Sequence, residues 1–98
     1  MTIKEIKAEL TEVRYYFLHK ASFDGAVRLV GDNSVLKKVE KYNKIMQSAP
    51  ARFYDLYIGL YVNGYTQEAY AEEMGYCPQH ICVLNRDLIK FIQKQLEQ

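Results

Sequence analysis

Three residues limit this chain more than any others: Ala71, Gly75 and Pro78. Gly75 can take the left-handed backbone that ends a helix at no steric cost. Pro78 suits the first position of the next helix, where its missing N–H would be unpaired anyway. Only Tyr76 and Cys77 lie between them, so the spacing predicts a short helix over 66–74, a tight turn, and a second helix opening at Pro78. Ala71 supplies the small side chain needed where two helices cross closely. Ile81, Leu84 and Leu88 recur at steps of three and four, which predicts one buried face. Tyr70 and Met74 are expected to reach the same core from the first helix. A tight helical corner in any all-α core carries the same letters, so the pattern constrains fold before function.

The rest of the chain also reads as helices. Hydrophobic residues make up 49% of the 98, with five glycines and two prolines, the composition of one folded domain or one compact unit plus an arm. Ile3, Ile6, Leu10, Val13 and Phe17 step by 3, 4, 3, 4, a heptad seam for a first helix that starts near Thr2. Beyond Phe17 the seam drifts, yet one helix is expected to reach about residue 29, bending near 22–25. Gly31-Asp32-Asn33-Ser34 is the clearest loop, with Asp32, Asn33 or Ser34 able to cap the second helix. Val35, Val39, Tyr42, Met46 and Ala49 form a second seam, for a helix over 35–47, so the first two helices are expected to pair as an antiparallel hairpin.

Pro50 ends that hairpin and opens a third helix over 51–62, with Phe53, Leu56, Tyr57 and Leu60 inward. Asn63 or Gly64 then takes positive φ, and Thr66 caps the fourth helix. The fifth helix is long, and Ile89, Phe91, Ile92 and Leu96 extend its apolar face towards helix three or the hairpin. The expected architecture is all-α: a helical hairpin over 1–49, a candidate for oligomerisation, and a three-helix unit over 50–98.

Composition excludes several function classes. MTIKEIKAEL lacks the apolar core of a signal peptide, and no apolar run approaches the ~20 residues needed to span a bilayer. Cys77 and Cys82 are too few for a disulfide framework, which fits a reducing cytoplasm. Cys77 and His80 share a face, but Cys82 does not join them, and structural zinc wants four ligands, so no metal or other cofactor is expected. No phosphate loop, nucleophile elbow or metal-binding helix motif points to an enzyme.

Residues 1–49 carry nine Lys/Arg against six Asp/Glu; residues 50–98 carry four against six. Lys37, Lys41 and Lys44, with Lys38 nearby, form a basic stripe on helix two, suited to phosphates or simply to solvent. The slightly acidic second half implies weak affinity of a monomer for nucleic acid, strong salt dependence, and a need for a dimer or a protein partner.

The stretch GLYVNGYTQEAYAEEMGYCPQHICVLNRDLIKF resembles region 4 of bacterial sigma factors and the short regulators built on it. The likeness covers about residues 51–92, and Ala71, Gly75, Ile81 and Leu84 fall where that family places its core. Cys77 stands where the family usually has Ser or Thr, and Arg86 is the only basic residue early in the second helix. Residues 1–49 do not resemble other sigma regions. The whole chain looks more like small phage or mobile-element proteins of low-GC Gram-positive bacteria, including ArpU- and RinA-type late-gene activators. This resemblance implies a helix-turn-helix, double-stranded DNA as ligand, and transcription control.

On that reading the second helix enters the major groove. Gln79 can pair with adenine, Arg86 with guanine or phosphate, and Val83 can touch a thymine methyl, with His80 and Cys82 nearby. Lys90 suits a phosphate, and Thr66 and Gln67 can hold another at the first helix's N-terminus. A non-enzymatic module contacting RNA polymerase, a sigma factor or another phage protein is the alternative. A packaging-terminase recognition subunit is a further alternative within the DNA-binding class. A homodimer through the hairpin fits both seams, which the two helices packing on each other would also satisfy.

Overall fold

The computed structural model describes residues 1–20 and 34–97. Among these the fold is all-α: α1 (Ile3–Leu18), α2 (Ser34–Met46), α3 (Ala51–Tyr57), α4 (Gln67–Met74) and α5 (Pro78–Leu96), with a π-helical turn at Ile58–Val62 continuing α3.

Thr2 and Glu5 start α1 through a reciprocal capping box. The Glu5 N–H donates to Thr2 Oγ1 (3.1 Å) and the Thr2 N–H to Glu5 Oε1 (2.9 Å), satisfying two otherwise orphaned donors. Ile6, Leu10 and Val13 are buried as the seam requires, and Tyr16 joins them. The helix stops at Leu18, where His19 leaves helical angles (φ −123°, ψ 33°), rather than running unbroken to residue 29. The expected bend at 22–25 and the Gly31-Asp32-Asn33 loop lie outside the described residues.

Ionic contacts fix the direction of α2 against α1. Lys38 Nζ lies 2.6 Å from Glu12 Oε2, and Lys41 Nζ lies 2.7 Å from Glu9 Oε1. Partners on α1 recede as α2 advances, so the two run antiparallel. Tyr42 donates its O–H to the same Glu9 oxygen (2.6 Å). Burial pushes the Glu9 carboxyl up, but the hydrogen bonds from Lys41 and Tyr42, with the charges of Lys41 and Lys38, together hold the group below its ordinary range. Solvent-accessible pairs of this kind are worth only about 1 kcal/mol each; they set register, while Val39, Tyr42 and Met46 supply the buried surface.

Pro50 precedes α3 in extended ψ (150°), and its carbonyl accepts from the Phe53 and Tyr54 N–H groups. Phe53, Leu56, Tyr57 and Leu60 are buried as their spacing predicts. The last turn widens, with the Asn63 N–H reaching back five residues to the Ile58 carbonyl (2.8 Å), a π-helical bond. Gly64, not Asn63, takes the positive φ (80°). α1 grips this turn, since Arg14 Nη2 donates to the Gly64 carbonyl (2.7 Å).

The two ends flanking α4 are closed in related ways. Thr66 Oγ1 accepts from the Ala69 N–H (3.1 Å). At the other end Gly75 has φ 76°, the Tyr76 N–H bonds the Ala71 carbonyl (2.8 Å) and the Gly75 N–H bonds that of Glu72 (3.3 Å), a Schellman closure. Gly64-Tyr65 repeats this one residue wider, with the Tyr65 N–H on the Gly59 carbonyl (3.0 Å), as the π-turn demands.

α5 packs against α1, α2, α3 and α4, and buried residues from both halves of the sequence form one contiguous cluster. Ile81, Leu88 and Ile92 are fully buried; burying each such side chain favours folding by roughly 1.5–3 kcal/mol. Two core expectations are corrected. Leu84 is only half-buried and Asn85 takes the inward place. A step of four from Ile81 brings Asn85 back nearly in line, whereas a step of three leaves Leu84 at the edge. Met74 is 48% exposed instead of reaching the core; on so short a helix Tyr70 and Ala71 already fill the inward face.

Candidate functional site

The two faces of α5 separate cleanly. Ile81, Asn85, Leu88 and Ile92 step by 4, 3, 4 along the buried side. Gln79, Val83, Arg86 and Lys90 step by 4, 3, 4 along the other and are all exposed. The offset of two residues, about 200°, puts the stripes on opposite sides. From Gln79 to Lys90 the outer stripe runs ~16 Å at 1.5 Å per residue. The inner stripe is anchored by a polar pair, half-buried Tyr61 donating its O–H to Oδ1 of buried Asn85 (2.7 Å). This contact was not visible in the sequence, because an Asn among apolar neighbours gives no sign of a partner 24 positions away.

The helix opens without a side-chain cap. Cys77 occupies the cap position (φ −79°, ψ 149°) but its thiol makes no capping bond, and Pro78 lacks an N–H. The His80 N–H bonds the Cys77 carbonyl (3.1 Å). Next to this end lies the start of α4, and the two form an open cleft of about 590 Å³ lined by Thr66, Gln67, Glu68, Pro78, Gln79 and Cys82. The structure therefore brings Thr66 and Gln67 to Gln79 across one cleft. Thr66 already accepts a capping bond there, leaving its O–H free to donate, and Gln67 is half-buried. His80 is exposed and its ring lies 4.9 Å from that of Tyr76; one residue on from Gln79, it stands about 100° round the helix, beside the stripe rather than on it. Arg86 and Lys90 sit further along α5.

No known protein family, curated protein or solved structure gives a significant match to this chain. The site has to be read from its own chemistry.

That chemistry is mixed in charge. Arg86 and Lys90 make no ion pair among the described residues, so both are available to an anion. Glu68 stands in the cleft and Asp87 follows Arg86, so among the described residues carboxylates stand beside the two cations of this face. The lysines of α2 add less than their spacing suggests. Lys38 and Lys41 are tied to Glu12 and Glu9 across the α1–α2 seam, while Lys37 and Lys44 remain exposed. Among the described residues no group of three His, Cys, Asp or Glu could hold a metal ion, and no helix is long and apolar enough to cross a membrane. Cys77 and Cys82 are both free and exposed.

Proposed function

We propose that the chain is a cytoplasmic, sequence-specific regulator of transcription, of phage or mobile-element type, that binds double-stranded DNA through a helix-turn-helix formed by α4 and α5. The observation that carries this reading is the exposed Gln79–Val83–Arg86–Lys90 stripe, aligned opposite a fully buried one on a helix whose entry is fixed by the Gly75 closure. An amide, a small apolar group and a guanidinium in line match the donors, acceptors and methyl group of a major groove. The cleft supplies Thr66, Gln67 and the N-terminus of α4 for a neighbouring phosphate. The carboxylates on this face keep the affinity of a single protomer low, so a homodimer through α1 and α2, or a protein partner on the DNA, is part of the proposal.

The test is a mobility-shift titration of the full chain on a selected duplex. Arg86→Ala should weaken specific binding by about 1–3 kcal/mol and relax preference at one position, whereas Lys90→Ala should weaken all sequences alike and lower the salt slope by about 1. Unchanged binding for both variants would remove α5 from the reading role. The second reading, a module that contacts RNA polymerase, a sigma factor or another phage protein, is favoured by Glu68 standing beside Gln79. It predicts no sequence preference in the same titration. Light scattering after size exclusion decides the dimer, which a strict monomer at high concentration would rule out.

A further inference from the structure

A second cleft, of about 420 Å³, lies where the end of α3 and its π-turn meet the C-terminal half of α4. Among the described residues it shares no lining residue with the cleft between α4 and α5. Three tyrosines shape it. Tyr54 and Tyr65 are 43% and 40% exposed, and Tyr70 is buried beneath. The Tyr65 and Tyr70 rings meet edge to face with centroids 6.3 Å apart. The floor requires Gly59, since a Cβ there would fall 2.3 Å from Tyr70 Cε1. Only a residue without a side chain lets that ring lie against the backbone. Met74, 48% exposed, closes one side.

Among the described residues, two carboxylates, Asp55 and Glu73, line the same cleft, and no Lys or Arg does. Neither makes an ion pair among the described residues. Asp55 acts on Tyr70 directly: burial is the main cause that raises the phenol above its ordinary range, and the Asp55 charge adds to it. Aromatic faces attract a cation through their quadrupole, and a planar guanidinium both stacks on such faces and pairs with carboxylates. Phosphate is repelled from such a place, and a purely apolar partner would leave both carboxylates beside buried surface. An open cleft on a helix junction suits an extended segment rather than an enclosed small molecule.

We propose that this cleft docks an arginine-bearing segment of a partner protein, with the guanidinium set among Tyr54, Tyr65 and Tyr70 and paired to Asp55 and Glu73. α4 then has two uses. Its N-terminal end borders the cleft shared with α5, and its C-terminal half carries a protein. The assignment stands whether or not α5 binds DNA.

The experiment is selection of phage-displayed random dodecapeptides on the full chain. Enriched peptides are then titrated as synthetic peptides against the wild type, the Asp55→Asn/Glu73→Gln double variant and Tyr54→Ala. Both carboxylates are exposed, so the double variant should keep its fold, checked by an unchanged thermal midpoint. The expected result is enrichment of arginine flanked by apolar residues, with wild-type binding weakened by high salt and binding to the double variant at least tenfold weaker. Lysine in place of that arginine should cost several-fold. The proposal is overturned if no peptide is enriched, if enriched peptides lack a basic residue, or if they bind the double variant as well as the wild type.

Discussion

Replacing Gly59 by alanine would ordinarily stabilise a helix. Alanine is favoured over glycine in helix interiors by about 1 kcal/mol, and Gly59 has no positive φ that would penalise a side chain. Here the sign should reverse. The added Cβ would meet Tyr70 Cε1 at 2.3 Å and Cδ1 at 2.5 Å, both too close to survive without movement. Tyr70 is 8% exposed, its ring edge to face with Tyr65, so it cannot swing away as an exposed side chain would. Overpacking of this kind costs about 1–3 kcal/mol. Subtracting the propensity gain leaves a net loss of up to roughly 2 kcal/mol. In a domain of this size each kcal/mol moves the melting temperature by about 4–8 °C. Urea denaturation followed by far-ultraviolet circular dichroism measures it. A double-mutant cycle sharpens the test: with Tyr70→Ala already present, Gly59→Ala should stabilise by about 0.5–1 kcal/mol, because only the propensity term remains. A Gly59→Ala variant more stable than wild type would refute the packing of Tyr70 on the π-turn.

Single contacts elsewhere have equally definite consequences. Tyr61→Phe leaves Asn85 Oδ1 without its donor and should cost about 1–3 kcal/mol, whereas adding Asn85→Leu should recover part of the loss; equal stability of the single variant and wild type in chemical denaturation would deny the pair. Thr66→Ala should cost about 1 kcal/mol through the lost cap on Ala69, and Thr66→Ser close to nothing, a ranking read from melting curves. Glu9 has a lowered carboxyl pKa in the fold, so its contribution is present above the usual 4.5 and is lost as pH falls through the folded value; Glu9→Gln should flatten that part of the acid limb, and an unaltered limb would contradict it. Tyr42 and Tyr57 are raised above the usual 10.0, chiefly by burial, so their contribution is complete below pH 10.0 and fades as pH climbs beyond it. A stability profile that stays level well above that pH would show the two phenols to be solvated.

The sequence was most informative where chemistry is local. Thr2, Thr66, Gly75 and Pro78 each act on backbone groups within a turn, and each stands at the helix end its type suggested. Heptad steps picked out Ile6, Leu10 and Val13, and again Val39, Tyr42 and Met46, because a repeat of that kind has one buried solution. Distant pairings were the part that could not be read. Asn85 inside the core depends on Tyr61, the π-turn depends on how Gly59 meets Tyr70, and the fate of Lys38 and Lys41 depends on which face of α1 arrives. Met74 escapes the periodicity argument because the eight residues of α4 give too few turns for apolar spacing to choose a face. The outer stripe of α5 was partly legible: each member is recognisable singly, while the cleft joining Gln79 to Thr66 and Gln67 needed α4 in place. The Tyr54–Asp55–Tyr70–Glu73 cleft gave no sequence signal, since its parts come from two helices and look like ordinary surface residues in each.

The most direct test is selection of the full chain on a pool of random-sequence duplexes, repeated with the Gln79→Ala/Arg86→Ala double variant. If the outer stripe of α5 reads the major groove, successive rounds should converge on one motif with the wild type, and the double variant should lose preference at those base pairs while keeping its fold. A wild-type pool that stays random, or a motif retained unchanged by the double variant, would contradict that role.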